Sequence, residues 1–169
     1  EPRSHGHLWK VTEKGVESND ERAILRLPVN VGLNYDLRAR FTRLSGEHSV
    51  AFFLPTASGP LSFELDAWGI GVGGIQNMDG RDMRPSLSTF TAQIENGVEQ
   101  DVLIEVRSDV IRCFWNDRKV VDQPIEGKEF SINRLWSTAT PMLPGVGSWK
   151  SPTVFHSIEM RKTNSGQTR

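Results

Sequence analysis

The alternation of apolar and polar residues is the dominant pattern along this chain. From Tyr35 to Leu44, apolar residues at positions 35, 37, 39 and 41 alternate with polar residues at positions 36, 38, 40 and 42. A period of two predicts a β-strand with one buried and one solvated face. The same alternation starts again at Val102 and ends at the turn residues Ser108 and Asp109. Both segments are therefore predicted to be half-buried strands.

A meander of short antiparallel strands is predicted in the second half of the chain. The strand that starts at Val102 is followed by a second strand from Val110 to Trp115, which leads into the Asn-Asp-Arg sequence at 116–118. Asn and Asp tolerate the positive φ of hairpin turns, so a tight turn is predicted there. Residues 119–122 then form the third strand.

Further strands are predicted where short apolar runs lie between Gly, Pro, Asn or Asp residues. They are His7–Thr12, Arg22–Val29, Ser49–Pro55, Leu61–Trp68, Gly71–Met78, Thr89–Ile94 and Thr153–Arg161. One or two helical turns are predicted from Ser131 to Trp136, with Ser131 as N-cap. Residues 137–151 contain two prolines and two glycines without a period, which predicts an ordered loop. About ten short strands with little helix predict an all-β fold, an antiparallel β-sandwich of the jelly-roll kind.

Length and composition favour a single domain. The chain has 169 residues, of which 37% are hydrophobic, and this suffices for one substantial core but not for two. We predict one β-sandwich domain over residues 1–162 and a polar, disordered tail over residues 163–169. The chain begins with Glu1 rather than Met, so we expect a mature product or a part of a longer protein with other domains.

The charge and the cysteine content exclude several kinds of partner and cofactor. Twenty Lys and Arg against 21 Asp and Glu give a net charge of -1, which provides no basic field for nucleic acid. No apolar run approaches the roughly 20 residues that cross a bilayer, so no membrane insertion is predicted. Cys113 is the only cysteine, and no Cys or His spacing is typical of a zinc site.

The stretch from Trp68 to Gly74 contains the G-x-G-x-x-G spacing of nucleotide-binding loops. In those loops the glycines close a strand and open a helix whose N-terminus faces the pyrophosphate. Residues 75–80 have the composition of a strand or turn instead, so no βαβ unit can be assembled. We interpret the glycines as part of a sheet in which another backbone or a bulky ring packs closely.

Two acidic residues just before the glycines are the candidate catalytic pair. On a regular strand, Glu64 and Asp66 would point to the same face about 7 Å apart, where one carboxyl pKa rises and the pair can flank a sugar or a metal. Residues 64–69 resemble the first half of the E-x-D-x-x-E motif of jelly-roll glycosidases of the laminarinase and lichenase kind, with Gly69 in place of the third carboxylate. The alternative is an exposed acidic stripe.

Three tryptophans are candidate ligand-binding residues. Trp68, Trp136 and Trp149 each lie in or next to a loop rich in Gly or Pro. An indole ring in such a loop offers a flat apolar surface to the C–H face of a sugar. The alternative is that these rings anchor the core or the loops.

Polar residues at the turn after the glycine run complete the candidate site. Asn77, Asp79 and Arg81 are predicted to bind sugar hydroxyls together with the tryptophans. Asp79 and Asp82 have the spacing of two acids that could hold a structural Ca²⁺ ion with backbone carbonyls. A solvated Asp-Gly turn is the alternative.

Three segments together resemble a known group of bacterial domains. They are YDLRARFTRLSGEHSVAFFLP at 35–55, VLIEVRSDVIRCFWNDRKVVD at 102–122 and GVGSWKSPTVFHSIEMRK at 145–162. They resemble the concanavalin A-like lectin and glucanase superfamily, and within it the group known as 3-keto-disaccharide hydrolases. The matching residues are 35–37, 115–121 and 154–160, which form two strands and a hairpin. The resemblance therefore implies the jelly-roll fold, and a secreted, periplasmic or cell-surface bacterial protein.

Three functional hypotheses follow from these observations. The first is a non-catalytic carbohydrate-binding or adhesion-like module of a larger bacterial protein. The second is an enzyme that hydrolyses a glycoside or 3-keto-glycoside with Glu64 and Asp66. The third is a protein-interaction or structural domain without a small ligand.

Overall fold

The computed structural model describes residues 8–83 and 88–164, and within these ranges the chain forms thirteen β-strands and a short 3-10 helix at Arg134–Trp136. The strands are β1 (Trp9–Thr12), β2 (Gly15–Ser18), β3 (Arg22–Arg26), β4 (Tyr35–Arg43), β5 (Val50–Thr56), β6 (Gly59–Ala67), β7 (Val72–Gln76), β8 (Phe90–Thr91), β9 (Glu99–Val106), β10 (Val110–Trp115), β11 (Arg118–Pro124), β12 (Gly145–Trp149) and β13 (Thr153–Lys162). The predicted all-β fold class is confirmed.

The strands form two antiparallel sheets. The seven-stranded sheet has the order β1-β2-β13-β4-β9-β10-β11, and the six-stranded sheet has the order β3-β12-β5-β6-β7-β8. Strands that are distant in sequence, such as β4 and β13, are neighbours, and the chain changes sheet repeatedly. This is the predicted jelly-roll sandwich.

The main hydrophobic core lies between the two sheets. On β4, Leu37 and Phe41 are fully buried, as the period of two predicts. Phe41 contacts Phe52 of β5 with ring centroids 5.9 Å apart, and Phe52 contacts Phe63 of β6 at 6.0 Å. Each such buried ring stabilises the fold by roughly 1.5–3 kcal/mol, so these facing rings hold the sheets together.

Residues 131–144, which we call the covering segment, lie across the outer face of the six-stranded sheet. Two arginines of β3 attach this segment to the sheet. Arg22 Nη1 donates to the Leu135 carbonyl oxygen over 2.6 Å, and Arg26 Nη1 donates to the Leu143 carbonyl oxygen over 2.8 Å. The six-stranded sheet is therefore covered on both faces at its centre.

A second, smaller apolar cluster forms under the covering segment. Trp136 packs edge-on against Phe53 of β5, with ring centroids 5.5 Å apart, and both are buried. Every residue of β5 is buried as a result. This explains why the sequence of β5 is a continuous apolar run rather than an alternating one, since a strand buried on both faces needs no polar side.

The prediction of a loop over residues 137–151 is wrong for β12. This strand lies between the edge strand β3 and β5 in the six-stranded sheet. Its glycines misled the prediction, because glycine usually weakens a strand. A Cβ at Gly147 would lie 2.8 Å from the Ala23 carbonyl oxygen and 3.0 Å from the Phe53 ring, so close packing requires glycine here.

Smaller differences concern strands and the helix. Strand β2 was not predicted, the strand predicted at 89–94 is reduced to two residues, and the helix is a single 3-10 turn capped by Asn133. In β13 the pairing register shifts between Phe155 and Ser157. That bulge explains why apolar residues of β13 do not follow a regular period of two.

The ends of the chain are described only in part. The first predicted strand begins in the structure at Trp9, and His7 lies outside the described residues. At the other end, Thr163 N donates to the Asn34 carbonyl oxygen over 3.0 Å, and residues 165–169 of the predicted tail lie outside the described residues. The division into a domain at 1–162 and a tail stays a prediction. Within 8–83 and 88–164, no helix has the length and hydropathy of a membrane span.

Candidate functional site

Glu64 and Asp66 do not form the predicted pair on one face of a strand. The pairing of β6 with β7 shifts register between Glu64 and Ala67, and Asp66 adopts a φ of 53°. A bulge with a left-handed residue turns the following side chain away from the regular alternation. The two carboxylates consequently belong to separate networks.

Asp66 is part of a buried ion pair that joins the two sheets. Its Oδ2 accepts from Arg43 Nη1 of β4 over 2.9 Å, and the two side chains are 5% and 3% exposed. The backbone N–H groups of Ile94 and Gly71 also donate to this carboxylate, over 3.1 and 3.0 Å. These three partners hold the Asp66 carboxylate in one position, so the contacts of Asp66 are those of a residue that stabilises the fold.

Glu64 lies on the outer face of the six-stranded sheet, beneath the covering segment. Trp136 Nε1 donates to Glu64 Oε1 over 3.0 Å, and the residue is 2% exposed. Burial raises the pKa of Glu64 to about 7, and hydrogen bonds from Ser49, Trp136 and Gln76 oppose that rise. A carboxyl group with this pKa can donate or accept a proton near neutral pH.

The three candidate tryptophans lie in two places. Trp136 packs edge-on against Trp149 with ring centroids 5.5 Å apart, so these two belong with Glu64. Trp136 is buried, whereas Trp149 is only half-buried. Trp68 lies in the turn between β6 and β7, two residues after Asp66, and is 36% exposed. The glycines beside Trp68 form this turn, since Gly69 and Gly71 have φ values of 68° and 70°.

The polar candidates at 77–82 form a turn at the other end of β7. Asp79 Oδ2 accepts from Lys128 Nζ over 2.9 Å, and its Oδ1 accepts from Glu129 N over 3.0 Å. The Glu129 N–H and the Lys128 ammonium hold the pKa of Asp79 below its usual value. Arg81 is exposed and donates its backbone N–H to Met78.

The predicted calcium site stays a prediction. Both carboxylate oxygens of Asp79 already accept hydrogen bonds, as described above. No group of three acidic, His or Cys side chains with metal-binding geometry occurs in the part of the chain that the structure describes, which includes Asp82.

A row of outward-facing residues crosses the six-stranded sheet next to Glu64. Pairing of neighbouring strands places its members side by side, in the order Arg26, Gly145, Phe53, Ser62 and Gln76. We call this set the transverse row. It spans four strand intervals, about 19 Å.

Each polar side chain of the transverse row has at least one enclosed atom without a hydrogen-bond partner, although Gln76 bonds to Glu64 and Arg26 Nη1 bonds to Leu143. Ser62 Oγ, Gln76 Oε1, and Nε and Nη2 of Arg26 are enclosed and have no partner among the described residues. Ser62 and Gln76 are 0% and 2% exposed. Because an enclosed polar atom without a partner costs about 1–3 kcal/mol, most such atoms in proteins have a partner. Three such side chains in one row of a sheet indicate a place where polar groups of a ligand could supply the missing hydrogen bonds.

Sequence reasoning missed most of this row. The alternation in Leu61–Asp66 places polar residues at 62, 64 and 66 and thus offered a signal for Ser62. Arg26 and Gln76 belong to strands that are far apart in sequence. No local pattern could have joined them, because the strand order decides their neighbours.

An apolar groove of about 330 Å³ opens beside the Arg26 end of the transverse row. Its walls include Leu33, Pro55, Met142 and Leu143, and Leu143 is the residue whose carbonyl oxygen accepts from Arg26. Met142 and Leu33 are partly exposed at its rim. The groove and the covering segment therefore share residues.

Comparison with known proteins finds solved structures of the same fold. No family model and no curated protein matches the chain. The carbohydrate-binding module CBM66 from Bacillus subtilis matches with a TM-score of 0.65 and 14% identity, over 91% of this chain and 91% of that chain. An alginate lyase of polysaccharide lyase family 7 matches with a TM-score of 0.59 and 10% identity, over 96% and 85%.

A third solved structure, a protein of unknown function with a galectin-like fold from Bacillus subtilis, matches with a TM-score of 0.62 and 8% identity, over 91% and 86%. At these identities the likeness shows the fold. The predicted antiparallel jelly-roll fold is thus confirmed, whereas membership of the 3-keto-disaccharide hydrolase group stays a prediction.

Proposed function

We propose that this domain binds an oligo- or polysaccharide on the outer face of its six-stranded sheet, as a non-catalytic module of a larger bacterial protein. The observation that carries the proposal is the transverse row, in which Ser62 and Gln76 have enclosed polar atoms without partners among the described residues. A sugar hydroxyl both donates and accepts a hydrogen bond, so one class of ligand satisfies both groups.

The indole pair next to the row supports the same ligand class. Trp149 is half-buried and is held from one side by the edge of Trp136, which leaves part of its surface accessible. A partly exposed, rigidly held ring beside hydrogen-bonding groups is a typical arrangement for a sugar, which has an apolar C–H face and polar edges. The names of two proteins of the same fold, a carbohydrate-binding module and a polysaccharide lyase, favour this class further.

Binding at the transverse row requires displacement of the covering segment. Among the described residues, the side-chain hydrogen bonds that attach it run from Arg22 and Arg26 to the Leu135 and Leu143 carbonyl oxygens and from Trp136 to Glu64. Backbone bonds at its two ends, at Ser131 and Pro144, add to them. Leu135 is 53% exposed, so part of the segment has little apolar contact with the sheet. Segments with few buried contacts open more easily than sheet strands.

The test is a glycan array followed by calorimetry with the best ligand. Trp149→Ala and Gln76→Leu are expected to lower affinity by about tenfold or more, since each removes a stacking surface or a hydrogen bond. Trp68→Ala, in a turn away from the row, serves as the matched control and is expected to bind like the wild type. Loss of binding in Trp68→Ala alone would move the site to that turn, and a folded protein that binds no glycan would refute the proposal.

A second candidate function is hydrolysis of a glycoside or 3-keto-glycoside. The observation that favours it is Glu64, whose pKa is raised by burial to about 7, as a general acid requires. This candidate predicts turnover of glycoside or 3-keto-glycoside substrates that is lost in Glu64→Gln. Turnover that survives Glu64→Gln and Asp66→Asn together would exclude these residues as the catalytic carboxylates.

A further inference from the structure

Arg26 differs from the other buried or half-buried arginines among the described residues, each of which is paired with a carboxylate. Arg43 is paired with Asp66, and Arg107 with Asp36, each through a contact of 2.8–2.9 Å to a carboxylate oxygen. The guanidinium of Arg26 has no carboxylate within ion-pair distance among the described residues, and its Nε and Nη2 are enclosed without a hydrogen-bond partner.

The position of Arg26 is fixed by its neighbours in the transverse row. Gly145 stands between Arg26 and Phe53, and its missing side chain lets the guanidinium lie over the Phe53 ring, 4.4 Å from the centroid. The third nitrogen, Nη1, donates to Leu143. The stacking on a ring and the bond to a carbonyl hold the planar guanidinium in place and leave two parallel donors unused.

A guanidinium with two unused donors matches the geometry of an oxyanion. Carboxylate and sulfate groups accept two parallel N–H bonds from one arginine, and such bonds are stronger than those between neutral groups. Burial also lowers the pKa of Arg26 to about 10, which shows that the charged form lacks compensation in its present surroundings. An anionic group would supply that compensation.

We infer that Arg26 binds an oxyanion at one end of the transverse row, so that the ligand is an acidic saccharide that carries carboxylate or sulfate groups. The inference rests on the proposed function and specifies its ligand class. The anionic group lies at Arg26, while hydroxyls of the chain reach Ser62 and Gln76 further along the row. The groove that is lined by Leu143 opens beside Arg26, and displacement of Leu143 with the covering segment exposes the two donors to it, while the Phe53 ring of the sheet still holds the guanidinium.

The experiment compares acidic polymers with neutral counterparts of the same backbone. Polygalacturonate is paired with its fully methyl-esterified form, and dextran sulfate is paired with dextran, at one fixed salt concentration. The wild type is expected to prefer at least one acidic member by about tenfold or more, as a charge-assisted pair of hydrogen bonds provides. Preference for polygalacturonate identifies a carboxylate ligand, and preference for dextran sulfate identifies a sulfate ligand.

Arg26→Met is expected to abolish this preference, since methionine keeps apolar contact with Phe53 but has no charge. Arg40→Met is the matched control, because it makes the same change in net charge on the opposite sheet, where Arg40 is exposed and its Nε is 3.4 Å from Ser157 Oγ. Arg26→Lys keeps the charge without the paired donors and is expected to retain only part of the preference. It carries the test if Arg26→Met does not fold.

Equal affinity of the wild type for each acidic polymer and its neutral counterpart would overturn the inference and leave the proposed function standing. An equal loss in Arg26→Met and Arg40→Met would also overturn it, because the preference would then come from net charge alone. Absence of binding to all four polymers would also overturn the inference, whereas the glycan array decides the proposed function.

Discussion

Replacement of Asp66 by Asn is expected to destabilise the fold strongly, although this residue was predicted from the sequence as a catalytic carboxylate. The carboxylate of Asp66 is the counter-charge of Arg43, and both side chains are almost fully buried. Asp66→Asn keeps the shape of the side chain but removes the charge. It leaves the guanidinium buried with no carboxylate partner among the described residues.

The size of the effect follows from the burial of the pair. Breaking a buried ion pair by removing one partner costs about 3–5 kcal/mol, which is a large part of the 5–15 kcal/mol that typically stabilises a domain. The Asn amide group would also point a donor at the N–H of Ile94 or at Arg43, both of which are donors to Asp66 in the wild type. For a chain of this length the loss corresponds to a melting temperature about 6–20 °C lower.

Urea unfolding followed by tryptophan fluorescence measures this difference, and the exposed ion pair of Arg38 and Asp101 provides the control. Asp101→Asn breaks a contact of 2.9 Å between side chains that are 52% and 25% exposed, so a cost of about 0–1 kcal/mol is expected. In the background of Arg43→Met, Asp66→Asn should cost less than in the wild type, because no buried charge is left alone. If Asp66→Asn alone lowers the free energy of unfolding by less than about 1 kcal/mol, this account of the pair is refuted.

Three further predictions concern Glu64, Gly147 and Cys113. Because burial raises the pKa of Glu64 from 4.5 to about 7, the neutral carboxyl stabilises the fold fully below pH 4.5, and this contribution is lost as the pH rises through about 7. The free energy of unfolding of Glu64→Gln, measured with urea, should therefore rise by about 3 kcal/mol relative to that of the wild type between pH 4 and pH 8. A difference between the two proteins that does not change with pH would contradict the assigned pKa. Gly147→Ala should cost about 1–3 kcal/mol in the same assay, because its Cβ would lie 2.8 Å from the Ala23 carbonyl oxygen; an unchanged unfolding midpoint would show that the strands can separate without cost. Cys113 is 0% exposed, and its burial raises the pKa of the thiol. A thiol reagent should therefore react with Cys113 only after unfolding, and rapid labelling of the native protein would disprove this burial.

Much of the fold could be predicted because its signals are local. The alternation in β4 and the Asn-Asp turn at 116–117 depend only on neighbouring residues, and in the structure both turn residues have positive φ. Strand β12 could not be predicted in this way. Its glycines suggest a loop until β3 and β5 are placed on either side, where only glycine fits against Phe53.

The candidate site could be predicted only in part. Glu64, Trp136 and Trp149 come together as the ligand hypothesis expected, but Trp68 and Asp66 lie elsewhere. The separation of the two acids depends on one bulge in β6, and a bulge forms only when the partner strand fixes the pairing register.

The sequence by itself determined the all-β class, the meander of β9, β10 and β11 and the residues that carry polar and aromatic groups, because these depend on period, turn propensity and side-chain chemistry. The tertiary structure alone decided which charges are paired. Arg43 is buried and Arg26 is half-buried, and both end a strand, yet the fold brings a carboxylate to the first and a ring without a counter-charge to the second. Strand order and register set these long-range neighbours, and neither is written in any single segment of the chain.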